Sequence, residues 1–249
     1  MIATTGTTNT GAVDDLVAIA EICQRHDLWL HVDGAYGGSV IFSDQHRTLL
    51  RGIERADSIT IDPHKWMAMP LAAGVILTRH PDMLERAFAV AAPYMPKAAE
   101  SKALDNSRIS TQWTRRMNSL KLWLTLRVHG RKAYEEHIDR QLNLARGFAS
   151  WIRDSEHFEL AAPQILPIVA FRFKSASISQ EQLAEIHANL VEDVTQNGRR
   201  WISETRVNGQ SVLRMMVISY LTEERHIHAL GKALNEAAIR LASIESRSR

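Results

Sequence analysis

The sequence predicts an α/β domain followed by a smaller α+β domain. Three observations support this fold class: short apolar runs of strand length in the first half, a helical pattern between the first two of them, and a change to long helical patterns in the second half. Strands that alternate with helices or longer connections are typical of an open α/β layer. A division near residue 117 separates residues 1–117 from residues 118–249.

Local patterns predict each element of the first half. Residues 1–5 are short and β-branched and stop at Gly6, as the end of a strand does. Asp14 and Asp15 are candidate N-caps of a helix, because the apolar residues after them recur at helical spacing. Three more strands are predicted where apolar runs of strand length occur, over residues 28–32, 58–61 and 73–78.

The second half is dominated by helical patterns. The longest covers residues 117–153, and we expect it to bend near Gly130, because glycine is poorly suited to a helix interior. Two strands are predicted over residues 168–173 and 212–219, and two more helices over residues 180–196 and 223–244.

Composition and charge exclude several classes of protein. The 249 residues are 45% hydrophobic and 23% charged, with a formal net charge of +2, which excludes a disordered chain. No block of Lys and Arg marks a nucleic-acid surface, and no run of about 18 apolar residues predicts a membrane span. The N-terminus lacks the regions of a signal peptide, so we expect a cytoplasmic protein. The single cysteine, Cys23, excludes a disulfide framework and a cysteine zinc site, and its helical surroundings predict a buried side chain.

Two polar side chains follow predicted strands and indicate a cofactor site. Lys65 comes just after strand 58–61, in the segment DPHKW, and Asp33 follows strand 28–32 in HVDGAYGG. A lone lysine after a turn is usually a surface residue, and a lone Asp-Gly pair is usually a turn. Together, at successive strand ends where open α/β sheets bind ligands, they have the arrangement of a pyridoxal phosphate site. There a desolvated lysine forms a Schiff base and a carboxylate pairs with the pyridinium nitrogen.

The segments TTGTTNTGAVDD, LWLHVDGAYGGS and ADSITIDPHKW resemble the group II pyridoxal-phosphate-dependent amino acid decarboxylases, especially the aromatic and bacterial members. TRRMNSLKLWLTLRVHGR and SVLRMMVISYLTEERHI resemble later segments of that family, so the likeness covers nearly the whole chain. It implies fold type I of the pyridoxal-phosphate-dependent transferases, which is aspartate aminotransferase-like. Residues 1–117 would then be part of the large domain, and residues 118–249 the linking helix and the small domain. It also implies a homodimer with the active site at the interface.

The resemblance assigns roles to residues around the cofactor. Lys65 would hold pyridoxal 5′-phosphate covalently, Asp33 would bind the ring nitrogen, and Ala35 would pack against one face of the ring. Thr8 would lie near the polar edge of the ring; alternatively its hydroxyl caps the following helix. His31 is expected to support the site rather than to react.

Two further residues of the DPHKW segment receive roles from the resemblance. Asp62 would lie near the cofactor phosphate, where many relatives have asparagine. His64 would lie near the phosphate or the substrate and take part in catalysis; alternatively it is a turn histidine that bonds to the backbone. Nothing in the sequence suggests a metal.

Tyr94 is the third catalytic candidate. It lies 29 residues after Lys65, in the Pro-rich and polar stretch 93–114 that has no clear periodicity. Loops of that length are commonly functional or disordered. In the family, a mobile loop carries a tyrosine at the matching place, closes over the partner subunit's site and protonates the α-carbon. The alternative is a tyrosine that anchors the loop to the surface.

The resemblance therefore predicts a carboxy-lyase that decarboxylates an aromatic or related L-amino acid. Two alternatives stay open: an aminotransferase or aldehyde-forming relative, and a truncated remnant that binds cofactor poorly. Tyr94 argues against the aldehyde-forming variety, which tends to carry phenylalanine there. The family's phosphate-binding loop and ring-stacking histidine would precede the first residue, so we expect that an N-terminal portion is lacking.

Overall fold

The computed structural model describes residues 1–90, 105–174 and 178–247, and these residues contain two four-stranded sheets. The first sheet has three parallel strands and an antiparallel fourth strand at its edge. Its register places Asp33 beside Thr4 on one side and Thr60 on the other. In order across the sheet, its strands are β1 (Ile2–Thr4), β2 (His31–Asp33), β3 (Ser58–Ile61) and β4 (Val75–Thr78).

Helix α1 (Leu16–Arg25) connects β1 to β2 and covers one face of the first sheet. Asp15 is its cap, because the Asp15 side chain accepts a hydrogen bond from the amide of Ala18. The buried face of the helix packs against apolar side chains of β1 and β2. Cys23 belongs to this face and is only 4% exposed, so its predicted burial is confirmed.

Two predicted strands are shorter than expected. β2 begins at His31 rather than residue 28, because the amide of Leu28 donates to the Cys23 carbonyl and that of Leu30 to the Asp57 side chain. β4 begins at Val75 rather than residue 73, because the carbonyl and amide of Ala73 contact the His64 side chain.

The second half contains the elements that build the other sheet. Gly130 has φ 72° and ψ 176°, so the long helix is interrupted at the predicted bend. Two strands of this half, Phe158–Leu160 and Ser203–Val207, are not predicted from the sequence. The remaining elements in chain order are α2 (Met83–Phe88), α3 (Asn106–Ile109), α4 (Ser119–Asp154), β5 (Phe158–Leu160), β6 (Ile168–Phe173), α5 (Gln180–Thr195), β7 (Ser203–Val207), β8 (Gln210–Met216) and α6 (Glu224–Arg247).

The second sheet is antiparallel, in the order β5-β6-β8-β7. One of its faces forms an apolar core with α5, α6 and the second part of α4. The other face contributes Ile168 to a cluster with Tyr36 and Trp66 of the first half. The predicted division near residue 117 falls just before α4 and stays a prediction. None of the helices within the described ranges is both long and apolar enough to cross a bilayer.

Candidate active site

Asp33 and Lys65 follow two adjacent parallel strands. Asp33 is the last residue of β2 and lies opposite Thr60 of β3, while Lys65 lies in the turn that ends β3. Ala35 ties the two strand ends together: its amide donates to Asp33 Oδ1 at 3.1 Å, and its carbonyl accepts from the amide of Asp62 at 3.1 Å. The fold thus brings together the two strand ends that the sequence singled out.

Glycines allow the loop after Asp33 to approach the neighbouring strands closely. A Cβ atom on Gly37 would lie 2.1 Å from the carbonyl oxygen of Thr5, and one on Gly34 would lie 2.9 Å from that of Thr60. Both separations are too short for a side chain. The Gly37 amide also donates to Thr5 O at 2.8 Å. Backbone packing therefore requires glycine at positions 34 and 37.

Lys65 forms an ion pair within its own turn. Its Nζ lies 3.0 Å from Asp62 Oδ2, and the Lys65 side chain is 42% exposed. The amine is therefore both held and reachable from solvent. Asp62 lies beside Lys65, and its predicted proximity to a phosphate stays a prediction.

His64 is held by the backbone of the loop that follows it. Its Nδ1 lies 2.6 Å from the carbonyl oxygen and 3.1 Å from the amide nitrogen of Ala73, which keeps Ala73 out of β4. Its Nε2 lies 4.0 Å from Asp62 Oδ2. This geometry agrees with the alternative of a turn histidine bonded to backbone, and the predicted catalytic role of His64 stays a prediction.

His31 bridges β2 and β3 on the polar side of the sheet. Its Nδ1 lies 2.8 Å from Ser58 Oγ and its Nε2 lies 3.3 Å from Thr60 Oγ1. Trp29 Nε1 donates to the same Ser58 hydroxyl at 3.0 Å. Both ring nitrogens of His31 therefore contact neighbouring side chains, and its predicted supporting role stays a prediction.

Trp66, directly after Lys65, is a buried anchor that the sequence did not single out. It is fully buried and stacks on Tyr36, with ring centroids 5.2 Å apart and an interplanar angle of 13°. Burial raises the pKa of Tyr36, so its phenol stays protonated at neutral pH. The only signal for this anchor was the aromatic residue that ends DPHKW.

Two predicted residues remain, Thr8 and Tyr94. Thr8 is exposed in a turn, and because Asp15 caps α1, the alternative in which Thr8 caps that helix is wrong. Tyr94 lies outside the described residues. Within the described ranges, no group of three or more His, Cys, Asp or Glu side chains is arranged to hold a metal ion.

Comparison with known proteins gives one family. The sequence profile described as the pyridoxal-dependent decarboxylase conserved domain matches residues 1–174. The chain is 34% identical over 223 residues to the aromatic-L-amino-acid decarboxylase of Bacillus atrophaeus, which covers 88% of this chain and 46% of that protein.

Solved structures give the same result for the fold. The chain superimposes with a TM-score of 0.88 on Oryza sativa TDC with PLP and tryptamine, at 30% identity over 96% of this chain and 50% of that one. It superimposes with a TM-score of 0.86 on Catharanthus roseus tryptophan decarboxylase in complex with L-tryptophan, at 32% identity over 96% of this chain and 50% of that one. The chain thus spans about half the length of these relatives. The fold of its described residues is that of part of a fold type I enzyme, as predicted.

Proposed function

Because the chain belongs to the pyridoxal-dependent decarboxylase family, we propose that the whole protein uses pyridoxal 5′-phosphate to remove the α-carboxylate of an L-amino acid. The observation that carries the proposal is the placement of Asp33 and Lys65 at adjacent strand ends joined through Ala35. A family match alone is compatible with a site that has decayed. In this chain both groups are present: Asp33 ends β2, and Lys65 lies in the turn after the neighbouring strand β3.

The donor set fits the cofactor. A pyridoxal group needs a primary amine to hold its aldehyde carbon and an anionic group to pair with its ring nitrogen. Lys65 offers an amine that solvent reaches, and Asp33 offers a half-buried carboxylate. Ala35, between the two strand ends, has a side chain small enough to leave room for a flat ring.

Each of these residues has a distinct task. When bound, pyridoxal 5′-phosphate supplies an electron sink for the charge left on the α-carbon as carbon dioxide departs. The Asp33 carboxylate would hold the proton of the ring nitrogen, and Lys65 would hold the cofactor until the substrate amino group takes its place. Tyr94 would return a proton to the α-carbon. Thr8, Asp62 and His64 would contact the cofactor or the substrate nearby.

The substrate proposed is an aromatic L-amino acid. The support comes from the relatives, which include a tryptophan decarboxylase in complex with L-tryptophan and a TDC with tryptamine. We also infer a cytoplasmic homodimer with its active site at the interface, and no nucleic-acid or membrane partner. Exposed apolar side chains at the start of α4, such as Trp123 at 58% and Val128 at 74%, support an interface at that place.

The direct test is product analysis with the whole protein. It is incubated with pyridoxal 5′-phosphate and tryptophan, tyrosine or glutamate, and carbon dioxide, amine, aldehyde and keto acid are each quantified. The proposal predicts equal amounts of carbon dioxide and amine from an aromatic substrate, no product from the Lys65→Ala variant and unchanged output from Lys132→Ala, an exposed lysine on α4.

Three results would contradict the proposal, and each has a different meaning. Keto acid without carbon dioxide would indicate an aminotransferase. Carbon dioxide with aldehyde in place of amine would indicate the aldehyde-forming relative. A protein that retains no cofactor and forms no product would be the remnant.

A further inference from the structure

The segment that follows Lys65 is fastened to one face of α4. The indole Nε1 of Trp66 donates to Gln141 Oε1 at 2.5 Å, and both side chains are fully buried. His137 Nε2 lies 3.3 Å from the carbonyl oxygen of Trp66. Burial lowers the pKa of His137, and the hydrogen bond to that carbonyl opposes this shift without cancelling it. The ring is therefore neutral near pH 7.

Tyr134 extends this contact by one residue. Its hydroxyl donates to the carbonyl of Met67 at 3.4 Å, and the Tyr134 ring is buried with Met67 and Met69 in a small apolar cluster. Tyr134, like His137 and Gln141, follows the bend at Gly130, so the second part of α4 holds the start of this segment.

The first part of α4 holds the end of the same segment. Lys121 Nζ lies 3.3 Å from the carbonyl oxygen of Pro70, 3.1 Å from that of Leu71 and 3.1 Å from that of Ala72. An ammonium group has three N–H donors and no acceptor, so three consecutive carbonyls match its capacity. Hydrogen bonds from a charged donor are stronger than neutral ones, which makes Lys121 an effective tether for this backbone.

Both ends of the tethered segment lie next to residues of the candidate site. It begins at Trp66, directly after Lys65, and ends at Ala73, whose backbone holds His64 Nδ1. We call residues 66–73 the lysine loop. Its path is decided by α4 at both ends, and its two termini adjoin the two consecutive side chains of the candidate site, His64 and Lys65.

We propose that Lys121 and Gln141 are positioning residues, which hold the lysine loop on α4 so that the Lys65 amine stays beside Asp62 at the edge of the sheet. The proposal rests on the proposed function, since it takes Lys65 to be the group that reacts. Neither residue is placed at the candidate site, and each acts through the backbone or through Trp66. If the loop is released, Lys65 spends less time in the reactive arrangement, and cofactor capture falls by the same fraction.

The test compares Lys121→Met with Lys121→Arg in the whole protein. Methionine keeps most of the length of the side chain and removes the donors, whereas arginine restores a charged donor. Lys132→Met, on the exposed surface of the same helix, is the matched control. The first measurement is hydrogen–deuterium exchange without cofactor. The second is the rate at which pyridoxal 5′-phosphate is fixed on Lys65 by borohydride, followed by peptide mass.

We expect Lys121→Met to raise exchange in residues 66–73 about tenfold, as the loss of a charge-assisted hydrogen bond implies, and to slow capture at Lys65 by the fraction of molecules in which the loop is released. Lys121→Arg should restore both most of the way, and Lys132→Met should match the parent. A second variant checks the other tether: Gln141→Met removes the acceptor for the Trp66 N–H and should behave like Lys121→Met.

Three results would overturn the proposal. One is parent-like exchange of the lysine loop in Lys121→Met, and another is looser exchange with unchanged capture at Lys65. The third is an increase in exchange spread evenly over all segments, which would mean a general loss of stability. If the parent itself captures no cofactor on Lys65, the proposed function fails together with the positioning role, while the exchange data still decide whether Lys121 holds the loop.

Discussion

Lys65 Nζ and Asp62 Oδ2 lie 3.0 Å apart within the turn that ends β3. Because the Lys65 side chain is 42% exposed, this ion pair contributes at most about 1 kcal/mol to stability. Its main effect is to fix the position of the Lys65 amine. It keeps the amine at the edge of the sheet where the neighbouring strand ends in Asp33.

Replacing Lys65 by Arg separates placement from chemistry. Arginine keeps the positive charge beside Asp62 but does not form a covalent bond to an aldehyde at neutral pH. We expect Lys65→Arg to unfold at the temperature of the parent, within a few degrees, and to lose detectable turnover. Calorimetry and a carbon dioxide assay measure the two effects. Appreciable turnover in Lys65→Arg would show that another lysine holds the cofactor.

Replacing Asp33 by Asn tests the charge at the end of β2. Asparagine keeps the size of the side chain and the hydrogen bond that Oδ1 accepts from Ala35, but it removes the charge that holds the ring proton. Loss of a transition-state charge contact of this kind costs about 3–4 kcal/mol, or about 10²–10³-fold in rate. We expect kcat to fall by that factor and cofactor binding to weaken less.

The matched control for this change is Asp82→Asn, an exposed aspartate before α2 whose side chain makes no capping hydrogen bond. Its kinetics should equal those of the parent. Unchanged turnover in Asp33→Asn would remove Asp33 from the site.

Replacing Tyr94 by Phe tests the proton donor assigned through the family resemblance. Without the phenol, carbon dioxide still leaves, but the α-carbon lacks its acid. The products should shift from amine toward aldehyde, formed either with dioxygen as the oxidant and release of ammonia or with transfer of the amino group to the cofactor, as chromatography of the reaction mixture would detect. Tyr220→Phe, at an exposed tyrosine, serves as the control. If Tyr94→Phe still forms amine and carbon dioxide in equal amounts at the parent's rate, Tyr94 only anchors its loop.

His187 makes the stability of the second half depend on pH. The ring is fully buried, its Nε2 accepts from the amide of Phe173 at 3.1 Å and its Nδ1 lies 2.8 Å from Ser211 Oγ. Burial, with a smaller effect of the Arg172 charge, lowers the pKa of His187 to about 4. Between its unfolded value near 6.5 and this value, the unfolded chain binds the additional proton, so stability falls as the pH falls.

From these values, the free energy of unfolding should drop by about 2 kcal/mol between pH 7.5 and pH 5 on account of His187. Urea unfolding at the two pH values measures this difference. In His187→Gln the difference should shrink by that amount, whereas His228→Gln, at an exposed position on α6, should retain it. An equal pH dependence in His187→Gln and the parent would mean that His187 is not the titrating group.

The parts of the fold that the sequence predicts correctly depend on nearby residues. The β3 run ends at Asp62 and the β2 run at Asp33 because an apolar stretch gives way to a charged residue. The bend at Gly130 follows from the backbone freedom of a single residue. The segments HVDGAYGG and DPHKW each follow one of two successive apolar runs. The placement of Asp33 and Lys65 at neighbouring strand ends could therefore be inferred from the order of the strands along the chain.

The parts that could not be predicted depend on distant residues. β7 has the polar sequence SETRV, which does not show an apolar strand pattern. Among the strands in the described ranges it pairs with β8 alone, at the edge of its sheet, so one side of it needs no apolar partner. The bond between Trp66 and Gln141 joins residues 75 positions apart, and nothing local to either residue announces it. The same holds for Lys121, whose partners lie about fifty residues earlier in the chain.

If Lys65 holds the cofactor, it should be the lysine that captures pyridoxal 5′-phosphate. The whole protein is incubated with pyridoxal 5′-phosphate, reduced with borohydride and digested, and the labelled peptide is sequenced by mass spectrometry. We predict a single label on Lys65, at a yield that Asp33→Asn lowers and Lys132→Met leaves unchanged. A label on any other lysine, or labels spread over several exposed lysines with none favoured, would contradict the account.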